Sequence, residues 1–134
     1  MTTQTNAAAR MGFKPGQTVV EIGWGEDSDE ELRTGVEQLT GQEMADEDSA
    51  SAVDAVILWF RDEDGELTDA FVDAIGGLKS DGAIWLLTPK VGHDGYIKSS
   101  DVAEVAQAVG LSSAVSLSAG QDWAATRLVP AARR

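Results

Sequence analysis

The sequence predicts an α/β domain in three layers: a mostly parallel, five-stranded sheet with helices on its faces and an antiparallel hairpin at its end. Three observations carry this expectation. Short apolar runs alternate with amphipathic segments of helical period, the pattern of parallel strands joined by crossover helices. Two of the runs, in "VDAVILWF" and "GAIWLLT", are almost continuously apolar, as strands buried on both faces are. The last two apolar segments are separated only by a turn around Gly120-Gln121-Asp122, which predicts a hairpin.

Each element follows from its residues. Phe13-Lys14-Pro15-Gly16-Gln17 is a turn, because Pro and Gly fix its geometry. Thr18 to Trp24 is a short β-branched run and reads as the first strand. Asp29 to Thr40 places Leu32, Val36 and Leu39 at helical spacing, with acids in the first turn where the helix dipole favours them. Gly41 ends that helix, and an acidic loop runs from Gln42 to Ser51. Ala52 to Phe60 is the second strand. Leu67, Phe71, Ala74, Ile75 and Leu78 form the apolar face of a second helix, closed by glycines and Lys79. Gly82 to Thr88 is the third strand, stopped by Pro89. Ser99 or Ser100 is expected to cap a third helix, with Val102, Val105, Ala106 and Val109 on one face and Gly110 at its end. Ala114 to Ser118 and Ala124 to Val129 form the hairpin. The order is β-α-β-α-β-α-β-β, with right-handed crossovers expected.

The 134 residues suffice for one domain with one core. We place it at residues 13–130, between a flexible N-terminal tail, 1–12, and a basic C-terminal tail, 131–134. No apolar run approaches a membrane-spanning length, and the start "MTTQTNAAAR" has no apolar core of a signal peptide. Cysteine is absent, which excludes disulfides and thiolate metal sites and fits a reducing, cytoplasmic setting. The net charge of −13 is unevenly spread: Glu21 to Asp81 holds 19 acids and 3 bases, and the remainder holds 4 acids and 7 bases. Such an acidic middle repels phosphate backbones and anionic lipid, so neither nucleic acid nor membrane is expected as a partner. It serves as a solvated surface or as a docking face for a basic partner.

The order of elements, with "KPGQTVVEIGWGED", "VDAVILWF", "LKSDGAIWLLTP" and "GLSSAVSLSAGQDWAATRLV", resembles a class I S-adenosylmethionine-dependent methyltransferase that lacks the two strands after its first helix. The phrases "FKPGQTVVEIGW", "VDAVILWFRDEDG", "IWLLTPK" and "DWAATRLV" are similar to a family of small acidic actinobacterial proteins of unknown function. The resemblance implies a truncated Rossmann-like, methyltransferase-like sheet. It also implies the order first, second, third, fifth, fourth, with only the fifth strand antiparallel. The first strand then becomes an edge, either covered by the segment from Ala7 to Gln17 or, as we prefer, paired with a second copy in a homodimer.

Four groups of residues are candidates for a site. In "VVEIGWGED", Gly23 and Gly25 allow a close backbone approach. A dinucleotide loop has a third glycine where Ser28 stands, and a methyltransferase loop has one where Asp27 stands. With Glu26 and its acidic neighbours at the helix start, a ligand phosphate or carboxylate meets like charge. The acid that normally grips a ribose belongs to a missing strand. We read the stretch as a binding loop in shape whose ligand chemistry has been lost or changed. Arg61-Asp62-Glu63-Asp64-Gly65 ends a strand at the ligand edge, but calcium-loop spacing would put Phe60 in the first ligand position, so a turn before a helix is preferred. Thr88 ends the third strand, and Lys90 and His93 after it form a small basic rim facing the acidic loops. His93 is the sole histidine, which excludes a histidine-based metal site within one chain. Ser116 to Gly120 lacks the first glycine of a nucleophile elbow. Trp59 and Trp85 read as core, whereas Trp24, between two glycines, reads as a contact residue. No catalytic residue, metal or cofactor is assigned. The expectation is a non-catalytic binding or regulatory module for a protein or small ligand; the second reading is a small methyltransferase.

Overall fold

A computed structural model of the chain describes residues 11–26, 28, 30–41, 43, 53–119 and 122–130. The elements are β1 (Val19–Ile22), α1 (Glu30–Thr40), β2 (Val53–Trp59), a 3-10 turn (Asp62–Asp64), α2 (Leu67–Gly76), β3 (Leu78–Pro89), α3 (Ser99–Ala108), β4 (Leu111–Ser118) and β5 (Trp123–Pro130). The sheet order is β1-β2-β3-β5-β4, as the resemblance implied. Only β5 runs against the others. By pairing, however, the sheet is mixed rather than mostly parallel, since β1–β2 and β2–β3 are parallel while β3–β5 and β4–β5 are antiparallel.

The alternation of side chains builds two cores. Ala55, Ile57 and Trp59 of β2 point to one face with Val19, Trp85 and Leu87, beneath Leu32 and Val36 of α1. Val56 and Leu58 point to the other with Val20, Ile84 and Leu86, beneath Phe71 and Ala74 of α2 and Val102 and Ala106 of α3. This is why β2 reads as a continuous apolar run: a strand with helices on both sides has no polar face. Met11 and Phe13 join the α1-side core. No helix among the described residues is long and apolar enough to cross a membrane.

Several local expectations are corrected. Leu78 and Lys79 begin β3 instead of closing α2, and β3 carries a bulge ahead of Ala83, where the register jumps between Val53↔Leu78 and Ala55↔Ala83. Gly82 is needed there, because a Cβ would lie 2.6 Å from Leu78 Cδ1 and 2.9 Å from the Asp54 carbonyl oxygen. Lys98, not a serine, occupies the cap position of α3, and no side-chain cap bond forms. In the hairpin, β4 starts earlier than expected, at Leu111, and β5 is longer at both ends, from Trp123 to Pro130.

The crossovers also depart from expectation. Passing from β1 to β2 and from β2 to β3, the chain moves the same way across the sheet, yet α1 lies on one face and α2 on the other. The two crossovers therefore have opposite hands. The β3–α3–β4 unit moves the same way with its helix on the α2 face, so it shares the hand of the second unit. The first unit is the exception to the near-universal right-handed form.

Candidate functional site

The β1–α1 loop, the β2–α2 loop and the wall of α2 meet at the carboxyl ends of β1 and β2, where open α/β sheets hold ligands. Between them runs a groove of about 770 Å³, lined by Gly23, Trp24, Gly25, Arg61, Asp69 and Asp73 among others.

Gly23 has φ +84°, and a Cβ there would lie 2.3 Å from the Trp59 carbonyl oxygen. Its lack of a side chain is thus required by the approach of β1 to β2, whatever the groove holds. Gly25 is tied locally: its N–H donates to Ser28 Oγ at 3.0 Å, and its carbonyl accepts from the Ser28 N–H at 3.1 Å. Glu26 is exposed, while Asp27 and Asp29, on which part of the like-charge reading rested, lie outside the described residues.

Arg61 is the surprise of the site. It is only 8% exposed. Its guanidinium donates to the Gly23 carbonyl at 2.9 Å, to Ser28 Oγ at 3.0 Å and to Asp64 Oδ2 at 3.2 Å. Its Cζ lies 5.1 Å from the ring centroid of Trp123, within cation–π range. The guanidinium stitches the glycine loop to the β2–α2 loop, and the Asp64 carboxylate neutralises it. Asp64 also accepts the Arg61 N–H at 3.0 Å, which closes the 3-10 turn.

On the α1 side of the sheet, Glu21 is held by two groups. Its carboxylate accepts Trp59 Nε1–H at 3.0 Å and is paired with the Arg33 guanidinium. Arg33 in turn lies 3.9 Å above the Trp24 ring, which meets Trp59 edge-on at 5.6 Å. Trp59 meets Trp123 edge-on at 4.9 Å. Trp24 is 38% exposed, whereas Trp59, Trp85 and Trp123 are buried.

The remaining sequence candidates fall elsewhere. Asp62 is exposed, and its backbone N–H donates to the Gly95 carbonyl at 3.0 Å. Thr88 is buried within β3. The Lys90 N–H donates to the Asp122 carbonyl at 2.9 Å. His93 lies over a second, smaller hollow of about 340 Å³, shared with Pro89, Asp94, Asp122 and Trp123, and its Nε2 is 3.8 Å from Asp122 Oδ1. The structure therefore brings Gly23, Trp24, Gly25 and Arg61 together and leaves Thr88, Lys90 and His93 outside their groove. Sequence reasoning missed Glu21, Ser28, Arg33 and Asp64 as partners. The available signal was the rarity of bases: the stretch Glu21–Asp81 has three, Arg33, Arg61 and Lys79, and each forms an ion pair with an acid of that stretch.

This architecture is that of the methyltransferase-type α/β fold. A mitomycin 7-O-methyltransferase, MmcR, superposes with a TM-score of 0.63 at 15% identity over 87% of this chain, which spans about half (49%) of that protein. A methyltransferase from Aquifex aeolicus described as S-adenosylmethionine-dependent gives 0.61 at 16% identity, over 90% of this chain and 85% of its own. At these identities the likeness concerns the fold alone. The chain belongs to the family described as "Protein of unknown function (DUF3052)", whose pattern matches residues 8–132. It is 42% identical over 125 residues to the uncharacterized protein Rv2239c of Mycobacterium tuberculosis, covering 93% of this chain and 78% of the relative.

Proposed function

We propose that the chain is a non-catalytic binding module on a methyltransferase-like scaffold, with the strand-end groove as its working surface. The observation that carries this reading is Arg61. At the crevice where the fold would bind a cofactor, the protein's own guanidinium occupies the Gly23 carbonyl and the Ser28 hydroxyl. A ligand ammonium group that sought the same carbonyl would have to displace a nearly buried, ion-paired side chain. Gly23 supports the reading as well, since its lack of a side chain is accounted for by the contact with β2.

The alternative, a small S-adenosylmethionine-dependent methyltransferase, draws on the fold of the neighbours. Calorimetric titration with S-adenosylmethionine separates the two. No saturable heat is expected at micromolar ligand; saturable binding in that range would sink the proposal and restore the enzyme.

A further inference from the structure

The groove has two unlike walls, and the α2 wall is not explained by the fold. Glu66 and Asp69 sit at the start of α2, where the helix dipole favours acids. Asp73 lies beyond the first turn, outside that benefit. Asp69 and Asp73 are four residues apart on one helix, so their like charges repel. Among the described residues, no cation lies within ion-pair distance of Glu66, Asp69 or Asp73. The three bases of the acidic stretch are paired with Glu21, Asp64 and Asp54. The helix thus tolerates a small unfavourable arrangement on the side that lines a groove.

We infer that this groove docks a lysine- or arginine-bearing segment of a partner protein; the inference rests on the binding-module reading above. Three features favour an extended basic peptide. The unpaired carboxylates are distributed along a helix and its preceding loop, and among the described residues no three acids converge as a metal site requires. Spaced charges match successive cations along a chain. The groove lining also includes the apolar residues Ile22 and Phe60 and the partly exposed Trp24, so an aliphatic side-chain stem has a surface to cover. Finally, the charged lining is acidic, with Glu63, Asp64, Glu66, Asp69 and Asp73 against Arg61, so its field draws a basic segment toward the groove.

Fluorescence anisotropy with a labelled peptide alternating lysine and alanine tests this on the full chain, with a glutamate–alanine peptide as control. Saturable binding of the lysine peptide alone is expected. The double variant Asp69→Asn/Asp73→Asn should weaken it by about tenfold. The double variant Asp101→Asn/Glu104→Gln removes the same charge from α3, outside the groove lining, and should change it by less than about twofold. All four side chains are exposed, so both variants are expected to fold, and melting curves verify it. Absence of saturable binding, or equal weakening by the two variants, would overturn the inference. Equal occupancy by spermidine, with no gain from the peptide, would assign the groove to a small polycation and overturn it too. If the peptide fails while S-adenosylmethionine also fails to bind, only the partner chemistry is lost; binding of S-adenosylmethionine defeats the underlying reading itself.

Discussion

The two walls of the strand-end groove treat charge in opposite ways. On the glycine-loop side, charged groups are turned inward: Glu21 is held by Arg33 and Trp59, and Arg61 by Gly23, Ser28 and Asp64. On the α2 side, Asp69 and Asp73 face the groove without a cation among the described residues. A hydrogen-bonded, buried charge is expensive to disturb, because its partner is left unsatisfied. An exposed, unpaired one contributes little to stability. The charged groups of the loop that looks like a binding motif are thus committed to contacts within the fold, while those of the helix beside it, the wall proposed for binding, are not.

The largest effect expected from this contrast is at Gly23. A Gly23→Ala substitution forces a Cβ against the Trp59 carbonyl at a backbone angle that side chains rarely adopt. A loss of about 3 kcal/mol or more is expected from the strain and collision together. Denaturant unfolding measures it, and a variant of ordinary stability would mean that the loop is not locked to β2.

A smaller effect is expected at Asp54, a used carboxylate away from the groove. It accepts the Thr18 N–H at 2.8 Å and pairs with Lys79 at 3.0 Å. The Thr18 hydrogen bond, followed by Lys79, holds its pKa below the ordinary value of 3.8. A depressed folded-state pKa contributes stability above the unfolded value that disappears as pH falls through the folded value. Asp54→Asn is therefore expected to cost about 1 kcal/mol near neutral pH. That difference should shrink below pH 3.8. Melting curves of the two proteins across this acidic range check the sign; a gap that widens on acidification would contradict it.

The smallest effect, and of opposite sign, is expected at Asp73. Asp73→Asn relieves the repulsion from Asp69 and should leave stability unchanged or raise it by about 0.2–0.5 kcal/mol. A clear loss in a thermal melt would mean that Asp73 has a structural partner and that the two walls are more alike than described.

What was legible in the sequence follows the range of the forces involved. β2 and β3 were readable because burial on both faces leaves an uninterrupted apolar run. The helices were readable from their period, since Phe71, Ala74, Val102 and Ala106 need only one face each. The end of α2 was misplaced because Leu78 continues the helical spacing while its backbone has already joined β3. The site was partly readable. Glycine spacing located the groove, but the inward turn of Arg61 depends on groups 38 and 33 residues away, Gly23 and Ser28. No local pattern encodes such a pairing. The hand of the first crossover was likewise invisible, since a statistical rule supplied it and the sequence does not state which face α1 takes.

That crossover has a consequence for how the molecule is put together. A β–α–β unit of the common hand can close on itself, because the twist of its strand carries the helix back over the sheet. The β1–α1–β2 unit lacks this help. Its connection reaches Val53 only after the acidic segment that follows Gly41 in sequence, and besides its apolar packing it is tied to the rest by Glu21 with Trp59, by Gly23 with Arg61 and by the Thr18 N–H with Asp54. The remaining strands and two helices share the ordinary hand and a common core under α2 and α3. The first strand and helix are thus held to the sheet by an apolar core of their own, Val19, Leu32 and Val36 against Ile57, Trp59 and Trp85, and by a short set of polar contacts known by residue number.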